Sequence, residues 1–457
     1  MHARAAAAPD QRLTFYLLRS ALVAALGGLL FGFDTAVISG ATRALTDEFG
    51  LSPAMLGFTV SSALWGTVLG SIFAGHPSDR FGRLAALRGL AVFYLVSALG
   101  CALAWSWSSL VVFRVIGGLA IGGSSVVGPM YIAEIAPAAR RGRLVALFQF
   151  NVVLGILVAY FSNYLVGLAG LGATEWRWKL GVAAAPAALF FLVLFGIPQS
   201  PRWLVRRGRL AEAREVLLRA GEQDVDREIR EIVATVSGEQ AGRSVPLFQR
   251  RYRLPVFLAI SIGMFNQLAG INAILYYLND IFAAAGFSKV SSDLQSVAIG
   301  FTNLVFTMIA MSLIDRLGRK KLLLVGACGT ASCLAGVAFI FFNKAHQGLL
   351  LWLLVAYIAF FAFSQGSVIW VYLSEVFPNL VRAKGQSLGS FSHWFMNALI
   401  SWAFPMMAAN SGGAPFAFFA AMTVLQFVVV LFVYPETKGV SLEELERRMD
   451  KAPVPAA

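Results

Sequence analysis

Two opposite charges lie deep inside apolar stretches of this sequence. Asp34 falls in FGFDTAVISG, nine residues before Arg43, and Arg114 falls seven residues after Trp107. If Arg43 and Trp107 mark the same edge of a membrane, a helical rise of 1.5 Å per residue places both charges about 10–13 Å below that edge. An ionised carboxylate in hydrocarbon costs at least about 2.5 kcal/mol, so a partner must offset it. Asp34 and Arg114 are therefore predicted to pair.

Such a pair has the chemistry of a protonation switch. Arginine keeps its proton under all ordinary conditions, whereas a carboxylate can gain one. An ionised Asp34 is held by Arg114, and a protonated Asp34 is released. The alternative is a static ion pair that only positions two helices.

Neutral polar and aromatic side chains are also spread through several apolar stretches. Such side chains offer donors and acceptors for the hydroxyl groups of a neutral ligand, together with flat apolar surface. Gln267, Asn272 and Tyr276 are spaced by five and four residues, which roughly places them on one helical face. Other apolar stretches contain Gln149, Ile156, Asn303, Trp370, His393 and Trp394. Taken singly, each is better explained by hydrogen bonding or packing between helices.

The composition indicates that membrane helices carry these residues. Of the 457 residues, 58% are hydrophobic and only 13% are charged, which is far outside the range of soluble domains. Apolar stretches of about 20 residues predict an all-α membrane protein with twelve spans. They lie near residues 19–42, 54–75, 86–106, 109–133, 144–167, 177–197, 254–277, 294–314, 322–342, 349–372, 386–408 and 414–434, and are numbered spans 1 to 12 in that order.

The net charge of +13 follows the predicted loops. Basic residues are concentrated in alternate loops and in the polar segment 198–253. The opposite loops hold little beyond Arg43, Arg177, Lys179, Lys289 and Lys344. By the positive-inside rule, both termini and this segment are predicted to be cytoplasmic. Apolar residues at helical spacing within the segment predict short amphipathic helices. We therefore expect a multi-pass protein of the cytoplasmic membrane, in contact with lipid and not with nucleic acid.

The sequence repeats itself across the polar segment. DRFGR at residues 79–83 recurs as DRLGR at 315–319, and MYIAEIAPAARRG aligns with VYLSEVFPNLVRAKG. Two homologous six-helix halves in parallel orientation are typical of transporters whose site lies between the halves. The predicted division is an N-terminal six-helix lobe at 1–197, a linker at 198–253, a C-terminal six-helix lobe at 254–437 and a short cytoplasmic tail at 438–457.

The chain resembles the sugar porter family of the major facilitator superfamily over nearly its whole length. It carries, in family order, the motifs FGFDTAVISG, DRFGR, PMYIAEIAPAARRGRL, WRWKLG, PQSPRWL, NQLAGINAILYY, DRLGR and YPETKG. Some positions depart from the family pattern. Gln199 stands where Glu is usual, Asn266 replaces the first of two Gln, and Ser367 replaces the proline of a Gly-Pro pair.

The resemblance implies roles for three sets of residues. Asp34 and Arg114 are expected to couple proton and sugar, because proton-coupled members carry Asp here and facilitators usually carry a neutral residue. The expected sugar contacts are Gln149, Ile156, Asn266, Gln267, Asn272, Tyr276, Asn303, Trp370, His393, Trp394 and Asn397. The expected cytoplasmic gate network, which latches the inner face when the outside is open, is Asp79, Arg83, Glu134, Arg141, Arg202, Asp315, Arg319, Glu375 and Arg382.

We therefore expect a proton-coupled symporter of a hexose or pentose that functions as a monomer. A facilitative uniporter is the first alternative, followed by a polyol or myo-inositol symporter and by a sugar-sensing receptor on the same scaffold. Fructose remains open, because His393 matches a fructose-selective branch that lacks a tryptophan at the position of Trp370. No enzyme chemistry, cofactor or metal is expected, since Cys101, Cys328 and Cys333 lie within predicted spans without metal-ligand spacing.

Overall fold

The structure, a computed structural model, describes residues 14–138, 140–241, 246–378 and 381–438. Regular structure within these ranges is helical, which agrees with the predicted all-α class. The first residues of the predicted N-terminal lobe, part of the linker and the tail beyond Lys438 lie outside the described residues, as does the side chain of Asp315.

Eleven helical segments of the described residues are long and apolar enough to cross a membrane. They are Phe15–Gly40, Pro53–Phe73, Arg83–Ala102, Trp107–Ile135, Arg141–Leu168, Gly172–Gly196, Arg250–Tyr276, Lys289–Ile314, Arg319–Asn343, Gln347–Glu375 and Ala414–Val433, and they correspond to predicted spans 1 to 10 and 12. Predicted span 11 lies in the helix Arg382–Asn410, which is 29 residues long but is not among the eleven. Its serine, glutamine, histidine and asparagine residues make it more polar than the others.

Shorter helices connect and extend these segments. They are Thr42–Phe49, Gly75–Phe81, Pro201–Arg206, Leu210–Ala220, Val225–Ala241 and Leu278–Ala284. The amphipathic helices predicted in the polar segment are present. One of them, Leu210–Ala220, buries Ala213 and Val216 in the same core cluster as Leu17 of span 1. The polar segment therefore packs against the N-terminal half of the chain.

Spans 7 and 10 are interrupted near the middle of the bundle. In span 7, the helix Arg253–Leu268 ends before Gly270, whose φ of 84° is in the left-handed region that favours glycine. A Cβ at this position would also lie 2.3 Å from the Phe419 ring. In span 10, Ser364 separates the helices Leu350–Phe363 and Gln365–Glu375. Both breaks lie beside polar residues that were predicted to bind sugar.

Glycines allow the helices of the bundle to approach backbone to backbone. A Cβ at Gly32 of span 1 would lie 1.8 Å from the Val152 carbonyl oxygen of span 5, and one at Gly155 would lie 2.1 Å from that of Leu29. This close packing fixes the position of span 1, which carries Asp34, along the bundle axis relative to span 5.

The hydrophobic core differs between the two ends of the bundle. We call the end that carries Arg83 and Arg319 of the two repeated motifs the motif end. One cluster there contains residues up to 220 and a second contains residues 247–434. A third cluster, which includes Phe33 and Tyr277, combines both halves of the chain toward the opposite end. The two halves therefore share a core at one end and keep separate cores at the other.

Candidate functional site

The two deep charges form an ion pair between spans 1 and 4. Nη1 of Arg114 donates to both oxygens of Asp34, at 2.9 and 3.1 Å. The Arg114 side chain is 3% exposed and that of Asp34 is 20% exposed. The guanidinium is thus enclosed while the carboxylate keeps some access to the surrounding space, which is what proton exchange at Asp34 requires.

Small pockets flank this ion pair on two sides. One is lined by Tyr94, Ser97 and Cys101 together with the two charged residues. The other is lined by Thr67 of span 2 and by Tyr276 and Trp394 of the C-terminal half. The pair therefore lies between the interior of the N-terminal half and the interface with the C-terminal half.

A larger cavity of about 130 Å³ lies between the two halves. Its lining includes ten of the eleven predicted sugar contacts, which come from spans 5, 7, 8, 10 and 11. They are Gln149, Ile156, Asn266, Gln267, Asn272, Tyr276, Asn303, Trp370, His393 and Trp394. The fold thus brings together residues that are separated by more than 240 positions in the sequence, between Gln149 and Trp394.

Gln267 is the centre of a hydrogen-bonded group in this cavity. Its Nε2 donates to Asn266 Oδ1 at 3.1 Å and lies 3.3 Å from both ring nitrogens of His393. Its Oε1 accepts from Asn272 Nδ2 at 3.1 Å. Asn266 in turn donates to the Gln365 carbonyl oxygen at the break in span 10. These amides offer donors and acceptors without net charge, as the recognition of hydroxyl groups requires.

Aromatic rings supply the apolar surface of the cavity. The ring centroids of Phe31 and Trp394 are 5.4 Å apart, and those of Trp370 and Trp394 lie 5.2 and 5.0 Å from the ring of His393. His393 is therefore held between two indoles and the Gln267 amide. Its position makes it part of the cavity wall.

Asn397 is the predicted sugar contact that does not line the cavity. It is fully buried, and its Nδ2 donates to the Tyr276 hydroxyl at 3.4 Å while its Oδ1 accepts from Ser401. It lies behind Tyr276 rather than beside the empty space. Conversely, Phe31, Thr35 and Thr307 line the cavity but were not predicted, because single apolar and hydroxyl residues in a membrane helix give no distinctive signal.

This cavity and the ion pair share part of their walls. Phe31, Thr35, Tyr276 and Trp394 line both this cavity and the pocket that contains Asp34 and Arg114. Thr35 directly follows Asp34 on span 1. Span 1 therefore contributes two successive residues, Asp34 to the ion pair and Thr35 to the cavity wall.

The motif end carries a charged network in the N-terminal half. Arg83 binds Glu134 through two parallel hydrogen bonds of 2.8 and 2.9 Å, and its Nη1 reaches Asp79 at 2.8 Å. Glu134 also accepts from the Ser200 hydroxyl. Planar two-bond contacts of this kind are specific to arginine.

The C-terminal half repeats this network with corresponding residues. Arg319 binds Glu375 at 2.8 and 3.1 Å, and Glu375 accepts from Thr437, which corresponds to Ser200. Glu436 accepts from the backbone N–H groups of Arg319 and Lys320. Burial alone would raise the pKa of Glu436, but backbone N–H donors, among them those of Lys438, Arg319 and Lys320, hold the pKa below its usual value. The repeated motifs thus build corresponding arginine–glutamate contacts in both halves.

The other predicted gate residues lie nearby. Nε of Arg141 donates to the Ala133 carbonyl oxygen, and Nε of Arg382 donates to that of Phe377. Arg202 lies on the helix Pro201–Arg206. The Asp315 side chain is outside the described part of the chain. Each of these two hydrogen bonds, like the Arg83–Glu134 and Arg319–Glu375 contacts, joins residues of the same half.

At the opposite end, contacts cross between the halves. The Tyr160 hydroxyl of span 5 donates to the Leu275 carbonyl oxygen of span 7 at 2.8 Å. Nε1 of Trp402 donates to the Ala54 carbonyl oxygen at 3.1 Å. The two halves are therefore closed on each other at this end of the bundle.

The described residues were also compared with the requirements of a metal site. Within the described residues, no group of three or more His, Cys, Asp or Glu side chains is placed to hold a metal ion. The polar groups of the cavity are amides, hydroxyls and one imidazole, which suit a neutral hydroxylated ligand.

Comparisons with known proteins agree with this geometry. The family model described as "Sugar (and other) transporter" matches residues 20–449. The arabinose-proton symporter of Bacillus subtilis (strain 168) is 38% identical over 439 residues, covering 94% of this chain and 95% of the relative. The D-xylose-proton symporter of Escherichia coli (strain K12) is 36% identical over 470 residues, covering 94% of this chain and 95% of the relative.

Solved structures of a xylose transporter have the same fold. The partially occluded inward-open structure of XylE from E. coli gives a TM-score of 0.84 at 34% identity, covering 93% of this chain and 99% of that chain. The structure of XylE, described as a major facilitator superfamily proton:xylose symporter, bound to 6-bromo-6-deoxy-D-glucose gives 0.76, also at 34% identity, covering 95% and 99%. The chain thus matches both structures, with the higher score for the inward-open one.

Proposed function

This chain belongs to the sugar transporter family, and from that premise we propose that it is a proton-coupled symporter of a monosaccharide in the cytoplasmic membrane. The observation that carries the proposal is the Asp34–Arg114 ion pair, which shares cavity walls with the cluster of neutral amides and indoles. A facilitator would need the cluster of amides and indoles but not the ion pair.

The substrate class follows from the cavity. Its volume of about 130 Å³ is small, and its polar groups are neutral donors and acceptors set beside flat rings. The relatives named above are symporters of arabinose and xylose. A pentose or hexose therefore fits the size, the chemistry and the family, while a charged substrate would find no counter-ion among the amides.

Proton coupling would act through Asp34. In the ionised state, the carboxylate is held by Arg114 and fixes span 1 against span 4. Protonation from outside removes the charge, so the pair loosens and span 1 becomes free to move with the cavity wall through Phe31 and Thr35. Arg114 cannot follow by losing its own proton. The proton and the sugar then leave together on the inner side.

We place the motif end in the cytoplasm, following the positive-inside rule. The chain would then form two six-helix lobes, at 1–197 and 254–437, with twelve spans that include Arg382–Asn410. Both termini and the linker 198–253 would be cytoplasmic, and the protein would work as a monomer. With this orientation the conformation would face inward, since the lobes are joined at the end opposite the motif end and keep separate cores at the motif end.

The cytoplasmic networks would act in the other half of the cycle. When the outer end opens, the two lobes approach each other at the motif end, and the Arg83–Glu134 and Arg319–Glu375 groups come close enough to pair across the lobes. Each arginine already holds its carboxylate in a fixed position. The networks would thus be preorganised to close the inner face.

Uptake by purified protein in proteoliposomes tests this function. A panel of labelled xylose, arabinose, glucose, fructose and myo-inositol identifies the sugar, and a protonophore identifies the driving force. We expect accumulation of one or more monosaccharides that collapses with the protonophore. Equilibration without accumulation would identify a facilitative uniporter, and absence of uptake across the panel would contradict sugar transport.

A further inference from the structure

Four charged side chains join the lobes at the extracellular end, and we call them the outer ion cluster. Lys179 and Glu175 lie on span 6 of the N-terminal lobe, and Asp293 and Lys289 lie on span 8 of the C-terminal lobe. Nζ of Lys179 is 2.9 Å from Glu175 Oε1 and 3.3 Å from Asp293 Oδ2. Nζ of Lys289 donates to Glu175 Oε2 at 2.7 Å. The cluster therefore contains two cations and two anions, with two ion pairs that cross the lobes.

The inner part of this cluster is removed from solvent. The side chains of Lys179 and Asp293 are each 1% exposed and that of Glu175 is 6% exposed, whereas Lys289 is 61% exposed. Asp293 also accepts from Asn279 Nδ2, and Asn279 accepts from the Ser296 hydroxyl. A buried lysine is thus held between two carboxylates that are themselves positioned by neighbouring groups.

Residues of neighbouring segments pack closely against the cluster. A Cβ on Gly167 at the end of span 5 would lie only 2.8 Å from Asp293 Oδ2. A third ion pair between the lobes, Arg43–Asp280, lies on the same face at 3.4 Å, but the Arg43 side chain is 60% exposed. Exposed pairs contribute little because water and salt screen them. Loss of the buried Lys179–Asp293 pair should therefore affect the closed state more than loss of the exposed Arg43–Asp280 pair.

A buried ion pair depends on its charges being matched. Removal of one partner leaves a desolvated charge, which is strongly unfavourable, whereas replacement of both partners is often nearly neutral. Outward opening separates spans 6 and 8, and both charges then regain water. A mismatch therefore disfavours the closed outer end while leaving the open one nearly unaffected.

We propose that the outer ion cluster is a charge-matched latch, in which the pairing of Lys179 with Asp293 permits the extracellular ends of the two lobes to close. The proposal rests on the alternating access proposed above. It assigns to Lys179 and Asp293 a positioning role in the conversion between outward-facing and inward-facing states, apart from sugar and proton binding.

Electron spin resonance distances across the outer end test the latch. Spin labels at Ser108→Cys and Gln347→Cys, both exposed near the extracellular ends of the lobes, report the separation in full-length protein whose three native cysteines are replaced. The variants are Lys179→Met, Asp293→Asn and the two together, in lipid nanodiscs. Glu48→Gln is the matched control, since it breaks the Glu48–Arg177 pair, which lies within one lobe.

Each single variant should raise the ratio of open to closed outer ends at least about tenfold, and the double variant should return most of the population to the closed distance. Unchanged distances in both single variants would overturn the latch. A double variant that opens as far as the two single effects combined would also overturn it, because lost packing rather than charge mismatch would then be the cause. Failure of the proposed transport function would instead appear as absent uptake by the unsubstituted protein, which these distances do not measure.

Discussion

Replacement of Asp34 by asparagine should separate sugar movement from proton movement. Asparagine keeps the size of the side chain and an acceptor oxygen for Arg114, but it has no proton to exchange. The hydrogen bonds of 2.9 and 3.1 Å that hold the carboxylate would be replaced by a weaker contact to a side chain that stays neutral throughout the transport cycle. The variant should still exchange sugar across the membrane and should lose uphill accumulation.

The expected loss of sugar accumulation follows from the number of titratable groups that line the cavity and its neighbouring pockets. Among the described residues, the sugar cavity and the two pockets beside it are lined by one carboxylate, that of Asp34. One proton per sugar, driven by about 100 mV, supplies about 2.3 kcal/mol. At about 1.4 kcal/mol per tenfold ratio, this corresponds to roughly fiftyfold accumulation. The unsubstituted protein should approach that ratio, whereas the variant should only equilibrate the sugar.

The assay is uptake of a labelled sugar into proteoliposomes under a potassium diffusion potential, with counterflow in the absence of a gradient as the measure of exchange. Asp47→Asn is the control, because Asp47 is an exposed carboxylate near the end of the bundle opposite the motif end. Accumulation by Asp34→Asn above equilibrium would refute the assignment of the coupling proton to Asp34. Loss of counterflow together with accumulation would show that the carboxylate serves structure or sugar binding instead.

Three further predictions concern the cavity and the gate. Gln267→Ala removes hydrogen bonds to three cavity residues and should weaken sugar binding about 5- to 150-fold, for about 1–3 kcal/mol lost. Calorimetry measures the affinity, with the exposed Gln347→Ala as the control. Equal affinities of the two variants would show that Gln267 does not bind the sugar. His393→Asn should change the order of preference in the sugar panel while proton-driven accumulation persists; loss of coupling with an unchanged order would place the imidazole in the proton path. Arg319→Lys replaces a planar two-bond contact to Glu375 by a single charge and should lower both the Tm by a few degrees and the rate of uptake; an unchanged Tm and rate would show that the contact is dispensable.

The sequence predicted much of the membrane architecture because composition and spacing determine it. Eleven of the predicted spans coincide with helices of sufficient length and hydropathy, since a span needs only about 20 apolar residues. Counting residues from two loop positions placed Asp34 and Arg114 at one depth, and they are in contact. The internal repeat aligned Arg83 with Arg319, and each of these arginines binds a glutamate of its own half.

Features that depend on packing between distant segments were not predicted. Lys179 was expected among the sparse charges of the outer loops, but the structure buries it against Asp293 of span 8. The helix break lies at a serine, Ser364, and not at a glycine or proline, so the residue type did not predict it. The position of Asn397 behind Tyr276 depends on how spans 7 and 11 face each other. In each case the deciding contact lies more than 100 positions away or in the local backbone, where residue type alone carries little information.

The direct test of proton-coupled sugar transport is the proton flux that accompanies the sugar. Proteoliposomes containing the unsubstituted protein and a trapped pH indicator receive an inward sugar gradient with no imposed pH difference, and the membrane potential is clamped with potassium and valinomycin. We expect that the lumen acidifies as the sugar enters, that a non-substrate sugar has no such effect, and that Asp34→Asn abolishes the acidification. Sugar entry with an unchanged internal pH would contradict proton coupling and identify a uniporter.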